Sequence, residues 1–330
     1  MALKIISHAI SDIGKVRASN QDSGYSGTQV FFVADGMGGH AGGDIASALT
    51  TQRVSQVDVG FTDIEQAREQ MVEAMLEANH ILGSTVRDHT ELSGMGTTFS
   101  GLAFVGDQVV VSHIGDSRVY LLRDGQVSQV TVDHTFVQRL VDLGRITPEE
   151  ALVHPRRSVL MRVLGDVEEQ PEIDTAIPTT KPGDRWLLCS DGLCGVVPDS
   201  LTAQIMKSPI GAGEACELLV GEALEFGAPD NVTVIVVDVV TATAAAGDPA
   251  IRQVAPAAIS AGTLSAAGEA LHRLPTREAR PWICCDPIRS TPSTIPGQAR
   301  ENTSCSLSMT PGVAAPMTKL SPASRMPIRS

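Results

Sequence analysis

The chain has 330 residues, of which 42% are hydrophobic and 3% aromatic, and it carries 38 Asp and Glu against 25 Lys and Arg. The formal net charge of −13 argues against non-specific binding to nucleic acid or to anionic membranes. No apolar run reaches the ~20 residues of a membrane-spanning helix, and the N-terminal residues contain no signal-peptide pattern. The cysteines lack paired zinc spacing. We therefore expect a reduced, cytoplasmic protein without a membrane span.

Charge and proline are distributed unevenly along the chain. Residues 1–240 hold 16 Lys and Arg against 33 Asp and Glu, whereas residues 241–330 hold 9 against 5, with 11 of the 19 prolines. A segment with the composition of residues 241–330 buries too little apolar surface to fold alone. We predict a folded domain at residues 1–240 and a disordered Ala-, Pro-, Ser- and Arg-rich tail at 241–330. The tail could recruit a partner, regulate the domain or do neither.

The first hundred residues contain short apolar runs and two helical patterns. Residues 5–10 and 30–34 are typical of strands, and a helix is predicted over 43–57. A second helix is predicted from Asp63 to about residue 89, because apolar residues recur there at spacings of three and four. Asp63 followed by Gln66 makes an N-terminal cap for this helix.

From residue 97 the apolar period becomes two, which indicates strands. These are predicted at 109–113, 117–122 and 127–132, the last two joined by a hairpin at Asp124-Gly125. Thr147-Pro148-Glu149-Glu150 marks a helix start. Further along, strands are predicted at 186–189 and 232–239, and helices at 200–206 and 214–225. Because strands and helices are segregated along the chain, we predict an α+β fold with antiparallel sheets.

Five aspartates lie at the borders of predicted strands or in a polar loop. Asp35 follows the strand FFVA, Asp116 lies between two strands, Asp191 follows WLLCS, Asp230 precedes VTVIVV and Asp22 ends RASNQD. A single strand-end Asp-Gly is commonly a turn. Several converging carboxylates, however, repel one another unless cations neutralise them. An oxygen-rich set suits Mg²⁺ or Mn²⁺, and two such ions can clamp a phosphoryl group.

Seven strings occur in order over about residues 7–238: SDIGKVRASNQD, VADGMGGHAGG, GTTFSG, VSHIGDSRVYLLRDG, TVDHT, CSDGL and PDNVTVIVV. With these motifs the chain resembles the PP2C-like (PPM) metal-dependent protein serine/threonine phosphatases, specifically their bacterial stand-alone branch. The resemblance implies an α-β-β-α sandwich of two antiparallel sheets flanked by helix pairs. It also implies phosphoprotein substrates, a serine/threonine kinase as the opposing enzyme, and a monomer.

The same resemblance implies a metal site with two catalytic Mn²⁺ or Mg²⁺ ions and a weaker third. Asp35 would bridge the two catalytic ions, and the Gly36 carbonyl would bind the first of them. Asp191 and Asp230 would bind the second ion. Asp116, together with Asp191, would hold the weaker third ion.

Further roles are implied for residues beside these ligands. Asp22 would act through metal-bound waters, and Arg17 would bind the substrate phosphate, with an exposed structural arginine as the alternative. A hydroxide bridging the two ions would attack phosphorus directly, without a phosphoenzyme. His40 or a metal-bound water would protonate the leaving alkoxide. Cys189 and Cys194 are interpreted as core residues.

The segment from residue 136 to 163, here named the flap segment, corresponds by resemblance to the mobile region beside the active site. It contains five arginines that could engage phosphorylated substrates or form a solvated helix face: Arg139, Arg145, Arg156, Arg157 and Arg162. His113 and His134 are expected to be structural or surface groups.

Two other functions are consistent with parts of the sequence. One is a phosphoprotein-binding module without turnover, against which the intact carboxylate set argues. The other is a two-metal hydrolase acting on nucleotides or small phosphoesters. The leading hypothesis remains a Mn²⁺- or Mg²⁺-dependent phosphoprotein phosphatase.

Overall fold

A computed structural model describes residues 3–38, 42–165 and 170–242, and the backbone of residues 257–260. The predicted residue His40 and most of the predicted tail lie outside this part of the chain. The described residues fall within one compact unit, residues 1–275. No helix in the described ranges combines the length and apolar character needed to cross a bilayer.

The elements follow one another along the chain in two groups. The first comprises β1 (Leu3–Asp12), β2 (Asp22–Ser26), β3 (Val30–Met37), α1 (Gly42–Val54), α2 (Ile64–Asp88), β4 (Gly96–Thr97), β5 (Phe99–Val105) and β6 (Gln108–Ile114). The second comprises β7 (Arg118–Arg123), β8 (Gln126–Gln129), α3 (Phe136–Asp142), α4 (Pro148–Leu152), β9 (Asp174–Ala176), β10 (Arg185–Cys189), α5 (Asp191–Cys194), α6 (Asp199–Lys207), α7 (Ala212–Glu225), β11 (Val232–Thr241) and β12 (Ala257–Ser260).

The strands form two antiparallel sheets. The first has the order β1-β11-β10-β7-β8, and the second has the order β12-β2-β3-β5-β6-β9, with β4 paired to β3. The longest pairing joins β1 to β11 from Leu3 opposite Thr241 to Asp12 opposite Val232. Chain segments that are far apart in sequence therefore lie side by side in the first sheet.

Alternating side chains divide the apolar residues into a central layer and two outer layers. On β3, Phe31 belongs to the layer between the sheets, whereas Phe32 packs with α1 and α2 outside the second sheet. On β11, Ile235 joins the central layer and Val236 packs with α6 and α7 outside the first sheet. This period of two buries both faces of each central strand. The predicted α+β sandwich with flanking helix pairs is confirmed.

Local sequence signals set several boundaries as predicted. The Asp63 side chain accepts the N–H of Gln66 at 2.8 Å and caps α2. Thr147 and Glu150 form a reciprocal capping box at the start of α4. Asp124 and Gly125 have φ values of 51° and 75°, as a tight two-residue hairpin turn requires.

Other boundaries differ from the prediction. The first predicted helix ends at Val54 and continues as a 3₁₀ turn over Ser55–Val57. The strand predicted over 127–132 is β8 at Gln126–Gln129, because the chain then leaves the sheet toward the flap segment. Of the predicted tail, the structure describes residues 241–242 and β12, whose backbone pairs antiparallel with β2.

Candidate active site

One cleft gathers most of the residues that the sequence analysis singled out. Its volume is about 410 Å³. Its walls include Arg17, Gly36 and four of the five aspartates, together with Gln21, Met37, Gly38, Thr98, Ser158 and Leu160; the aspartates are Asp35, Asp116, Asp191 and Asp230. The fifth, Asp22, is buried behind this wall with 1% of its surface exposed. Both sheets contribute, because β2 and β3 belong to one sheet and β10 and β11 to the other.

Threonines at the start of the neighbouring strand fix the backbone of Asp35. The Asp35 N–H donates to Thr98 Oγ1 at 3.0 Å. Its carbonyl accepts the Thr98 N–H at 2.9 Å and the Thr97 hydroxyl at 2.9 Å. These bonds hold the end of β3 at the rim of the sheet and thereby place the Asp35 carboxylate at the cleft.

Gly36 occupies a place where no side chain fits. A Cβ atom there would lie 1.9 Å from the Gly43 carbonyl oxygen and 2.5 Å from the Gln21 carbonyl oxygen. The Gly36 N–H donates to the same Gln21 oxygen at 3.1 Å. The close approach of three backbone segments therefore requires glycine directly after Asp35.

Gly36→Ala is expected to lower the free energy of unfolding by about 1–3 kcal/mol, because the new methyl group displaces backbone rather than flexible side chains. The control is Gly221→Ala in α7, where a Cβ meets nothing within 4 Å. That change is expected to stabilise the protein by about 0.5–1 kcal/mol. Urea unfolding of both variants checks the pair. Equal stability of the two variants would contradict the steric argument.

Asp22 is held by hydroxyl groups from the opposite sheet. Ser190 and Thr233 each donate a hydrogen bond of 2.7 Å to Asp22 Oδ2. Its other carboxylate oxygen, Oδ1, is buried without a hydrogen-bond partner among the described residues. Burial raises the pKa of Asp22 to about 7, although the two hydroxyls oppose this shift. The Asp22 side chain is thus fixed through Oδ2, while Oδ1 accepts no hydrogen bond from the described residues.

For the neighbouring carboxylates, burial outweighs the compensation that Arg17 and Arg118 provide. Burial and the other aspartates of the cleft raise the pKa of Asp35 well above its usual range. Burial, and to a smaller extent the charge of Asp191, raises the pKa of Asp116 to about 8. The pKa of Asp191 is also raised by burial and by Asp230, and its Oδ1 is a buried acceptor without a described partner. Such a cluster is stabilised when a cation enters it.

The donor set fits a hard divalent cation. Carboxylate and carbonyl oxygens are the ligands that Mg²⁺ and Mn²⁺ prefer, and these ions retain several waters in protein sites. Within the described ranges, no three Asp, Glu, His or Cys side chains already converge as a ready-made ligand group. The cleft carboxylates, the Gly36 carbonyl and water together would supply the oxygen ligands of such ions.

Without metal, the protein is expected to become less stable as the pH rises from 6.5 to 8.5. Asp22 and Asp116 keep protons in the folded state up to about pH 7 and 8, whereas unfolded aspartates lose them near pH 4. Their contribution is therefore greatest at low pH and is lost as the pH rises, by at most about 1.4 kcal/mol per pH unit for each proton. Urea unfolding in EDTA measures the slope.

Two controls isolate the aspartates in this experiment. His113 is buried and its pKa is lowered to about 4, so it affects stability only below its unfolded pKa of about 6.5. Asp116→Asn should reduce the slope, and saturating Mn²⁺ should abolish it, because bound metal requires ionised carboxylates. A flat profile in EDTA would show that the carboxylates are ionised in the metal-free fold.

Arg17 lies at the cleft with about half of its side chain exposed, and its Nη2 donates to Asp230 Oδ2 at 2.5 Å. The ion pair anchors the Arg17 side chain. The guanidinium N–H groups outside the ion pair are therefore held in one orientation, and this suits binding to a phosphate oxygen. The structure thus brings Arg17 to the predicted metal residues. His40 is not among the described residues, so its predicted role stays a prediction.

A polar scaffold that the sequence analysis did not assign supports these residues. Asn231 Oδ1 accepts the Gln21 N–H at 2.8 Å, and its Nδ2 donates to the carbonyls of Ile13 and Ser19. The Thr98 and Ser117 hydroxyls lie 2.8 Å apart. The seven ordered sequence strings contain Thr98 and Ser117, and also Ser190 and Thr233. Their place in these strings is the sequence signal by which they could have been identified.

The flap segment borders the cleft through Ser158 and Leu160. Arg162 pairs with Glu172 and Asp174. The ion pairs among the described residues include none of the other four flap arginines: Arg139, Arg145, Arg156 and Arg157. Cys189 is buried in the apolar layer beside α7, with Cys194 packed against it, as predicted. His113 and His134 are both buried.

Comparisons with known proteins agree with this geometry. The chain is 45% identical over 235 residues to the serine/threonine protein phosphatase PstP of Mycobacterium tuberculosis, covering 70% of this chain and 44% of PstP. The chain thus spans less than half the length of that relative. It is 36% identical over 236 residues to the protein phosphatase PhpP of Streptococcus pneumoniae, covering 69% of this chain and 95% of PhpP.

A solved structure of the PstP catalytic domain in complex with 2 manganese ions superposes with a TM-score of 0.67. The identity is 42%, and the match covers 72% of this chain and 100% of that structure. The model of the family described as protein phosphatase 2C matches residues 15–212. The fold, the ordered motifs and these similarities establish that the chain belongs to the protein phosphatase 2C family.

Proposed function

We propose that the protein is a metal-dependent phosphoprotein phosphatase that hydrolyses phosphoserine and phosphothreonine. The observation that carries this proposal is the single cleft in which four aspartates meet one anchored arginine. Carboxylates in that arrangement hold cations, and the arginine provides donors for an anion beside them. Membership in the protein phosphatase 2C family and the names of the similar proteins support the same substrate class.

Two ions would be held by four of the cleft residues. In this proposal Asp35 serves both ions, the Gly36 carbonyl the first, and Asp191 and Asp230 the second. Asp116 would hold a weaker third ion together with Asp191. The family assignment and the manganese ions of the similar PstP structure support this division.

Three further residues would orient water, bind the phosphate or supply a proton: Asp22, Arg17 and His40. Asp22 orients waters from behind the cleft, since Ser190 and Thr233 fix its carboxylate. Arg17 orients the phosphate. The bound ions would lower the pKa of a shared water so that it attacks phosphorus as hydroxide near neutral pH. The leaving alkoxide takes its proton from His40 or from water.

The biological setting is proposed on the resemblance and on the composition of the chain. The enzyme would oppose a serine/threonine kinase, act as a monomer in the cytoplasm, and have no nucleic-acid partner. Its catalytic domain would comprise residues 1–240, with residues 241–330 as an Ala-, Pro-, Ser- and Arg-rich tail whose strand β12 pairs with β2.

Removal of the chain after Ala242 is expected to leave the catalytic rate within about 2-fold of the full chain, because none of the described residues that line the cleft lies beyond Asp230. The edge of β2 loses its pairing with β12 in this variant, so we expect faster amide exchange in residues 22–26. Hydrogen exchange and phosphate release measure both effects. A large loss of turnover would show that the tail contributes to the site.

The deciding experiment is phosphate release from a phosphothreonine peptide by the full chain, with Mn²⁺ and with excess EDTA. Release that requires the metal supports the proposal. Faster hydrolysis of nucleotides than of the peptide would favour the small-phosphoester alternative. Peptide binding without turnover in Mn²⁺ or Mg²⁺, by protein shown to be folded, would favour a binding module.

A further inference from the structure

Both backbone polar groups of Gly115 are bound by a single residue, His134. The Gly115 N–H donates to His134 Nδ1 at 3.1 Å, and the Gly115 carbonyl accepts the His134 N–H at 2.7 Å. The β6 ladder ends at Ile114, so Gly115 has left the sheet, and His134 replaces its strand partners. The His134 side chain is 7% exposed, and this makes its hydrogen bonds costly to lose.

Residue 115 has a backbone conformation that favours glycine, and the structure leaves no room there for a side chain. Its φ is +111°, and a Cβ there would lie 2.5 Å from Thr98 Cβ. The conformation of Gly115 determines the direction in which the next residue, Asp116, leaves the strand. By holding Gly115, His134 therefore influences the position of the Asp116 carboxylate without contacting it.

The orientation of the imidazole is itself set from the opposite side. Because Nδ1 accepts from Gly115, the proton of the neutral ring lies on Nε2, which donates to Asp174 Oδ2 at 3.1 Å. Arg162 holds the other oxygen of Asp174 at 3.1 Å. The neighbouring Met161 N–H donates to the His134 carbonyl at 2.8 Å. The end of the flap segment thus contacts His134 through side chain and backbone.

We propose that His134 is a positioning residue that directs the Asp116 carboxylate into the cleft, and that Asp174 and Arg162 link this position to the flap segment. The inference rests on the proposed function, in which Asp116 holds the weaker ion. Hydrogen bonds of this kind commonly tune a metal site, and their loss costs about 10–100-fold in affinity.

Two substitutions at residue 134 separate the two bonds of the ring. His134→Asn places an amide oxygen near the position of Nδ1 and keeps an acceptor for Gly115. His134→Gln extends to the position of Nε2 and loses that acceptor. Titration calorimetry of Mn²⁺ into the full chain, with Asp116→Asn as reference, measures each site without turnover. Unfolding temperatures in EDTA report any general loss of stability.

We expect His134→Gln to weaken the weakest Mn²⁺ site by about 10–100-fold, as Asp116→Asn does, and to leave the tighter ions unchanged. His134→Asn keeps the bond to Gly115 but loses the bond to Asp174, so it should weaken that site measurably, by less than about 10-fold. In the Asp116→Asn background, His134→Gln should have no further effect on Mn²⁺ binding, because the two changes act on the same interaction.

Three results would overturn the inference. Unchanged Mn²⁺ isotherms in both His134 variants, with lowered unfolding temperatures, would show a purely structural histidine. An unchanged isotherm in Asp116→Asn would instead refute the assignment of Asp116 on which the inference rests. If His134→Gln does not fold, Asp174→Ala decides, since Asp174 is half-exposed; unaltered Mn²⁺ affinity in that variant would refute the link to the ring.

Discussion

Asp191→Asn is expected to lower phosphate release by at least about 100-fold, because changes to outer-shell partners alone already cost 10–100-fold. The fold should persist. The Asp191 carboxylate has a buried oxygen without a described partner, and burial and Asp230 both oppose its charge. Replacing it by a neutral amide therefore relieves repulsion in the metal-free protein. The unfolding temperature in EDTA should be equal to or above that of the wild type.

The same variant should lose most of the stabilisation that Mn²⁺ provides. A ligand at 100 times its dissociation constant stabilises the folded state by about 2.7 kcal/mol, and this gain requires an intact ligand set. The matched control is Asp88→Asn at the exposed end of α2, where activity and Mn²⁺ response should match the wild type. Full activity in Asp191→Asn would refute its assignment as a metal residue.

Arg185→Met is expected to cost about 3–5 kcal/mol of unfolding free energy, the largest stability effect that we predict. Arg185 on β10 is 8% exposed. It donates to both carboxylate oxygens of Asp238 on β11, at 2.6 and 2.9 Å. It also donates to the carbonyl of Met206 in the last turn of α6 and to the carbonyls of Ser208 and Ile210 just after this helix. The substitution leaves the carboxylate of Asp238, which is 18% exposed, and three carbonyls without this donor.

Two variants test the cause of that loss. Lys181→Met removes a cation from the exposed pair with Asp124 and should cost at most about 1 kcal/mol. Adding Asp238→Leu to Arg185→Met removes the stranded carboxylate and should recover part of the stability. Urea unfolding of the three variants checks the order. An Arg185→Met cost no larger than that of Lys181→Met would contradict the argument.

Elements with a complete local signal could be predicted from the sequence. The cap of α2 needs only Asp63 and Gln66, and the hairpin turn needs only Asp124 and Gly125. By contrast, the three residues of β9 are all exposed, so no apolar period marks them, and only pairing with β6 makes them a strand. The sequence identifies what forms through neighbours along the chain, and it misses what forms through neighbours in space.

The candidate site shows the same division. The strand-end positions of Asp35, Asp191 and Asp230 were predictable, because buried apolar runs end beside them. The burial of Asp22 was not, since it depends on hydroxyls of Ser190 and Thr233 in the opposite sheet. These contacts span 168 and 211 positions of the chain, a separation that no local pattern encodes.

The antiparallel pairing of β1 with β11 has a consequence for how the protein is made. Strand β1 begins at Leu3, but its sheet partner ends at Thr241, so the N-terminal strand waits for most of the chain to leave the ribosome. Contacts of such separation are formed late, because closing the long loop costs entropy before any contact repays it. Asp22 and Thr233 meet only in the same step. The nascent chain therefore completes its cation-binding cleft after synthesis of β11, and a shorter product of interrupted translation would lack it.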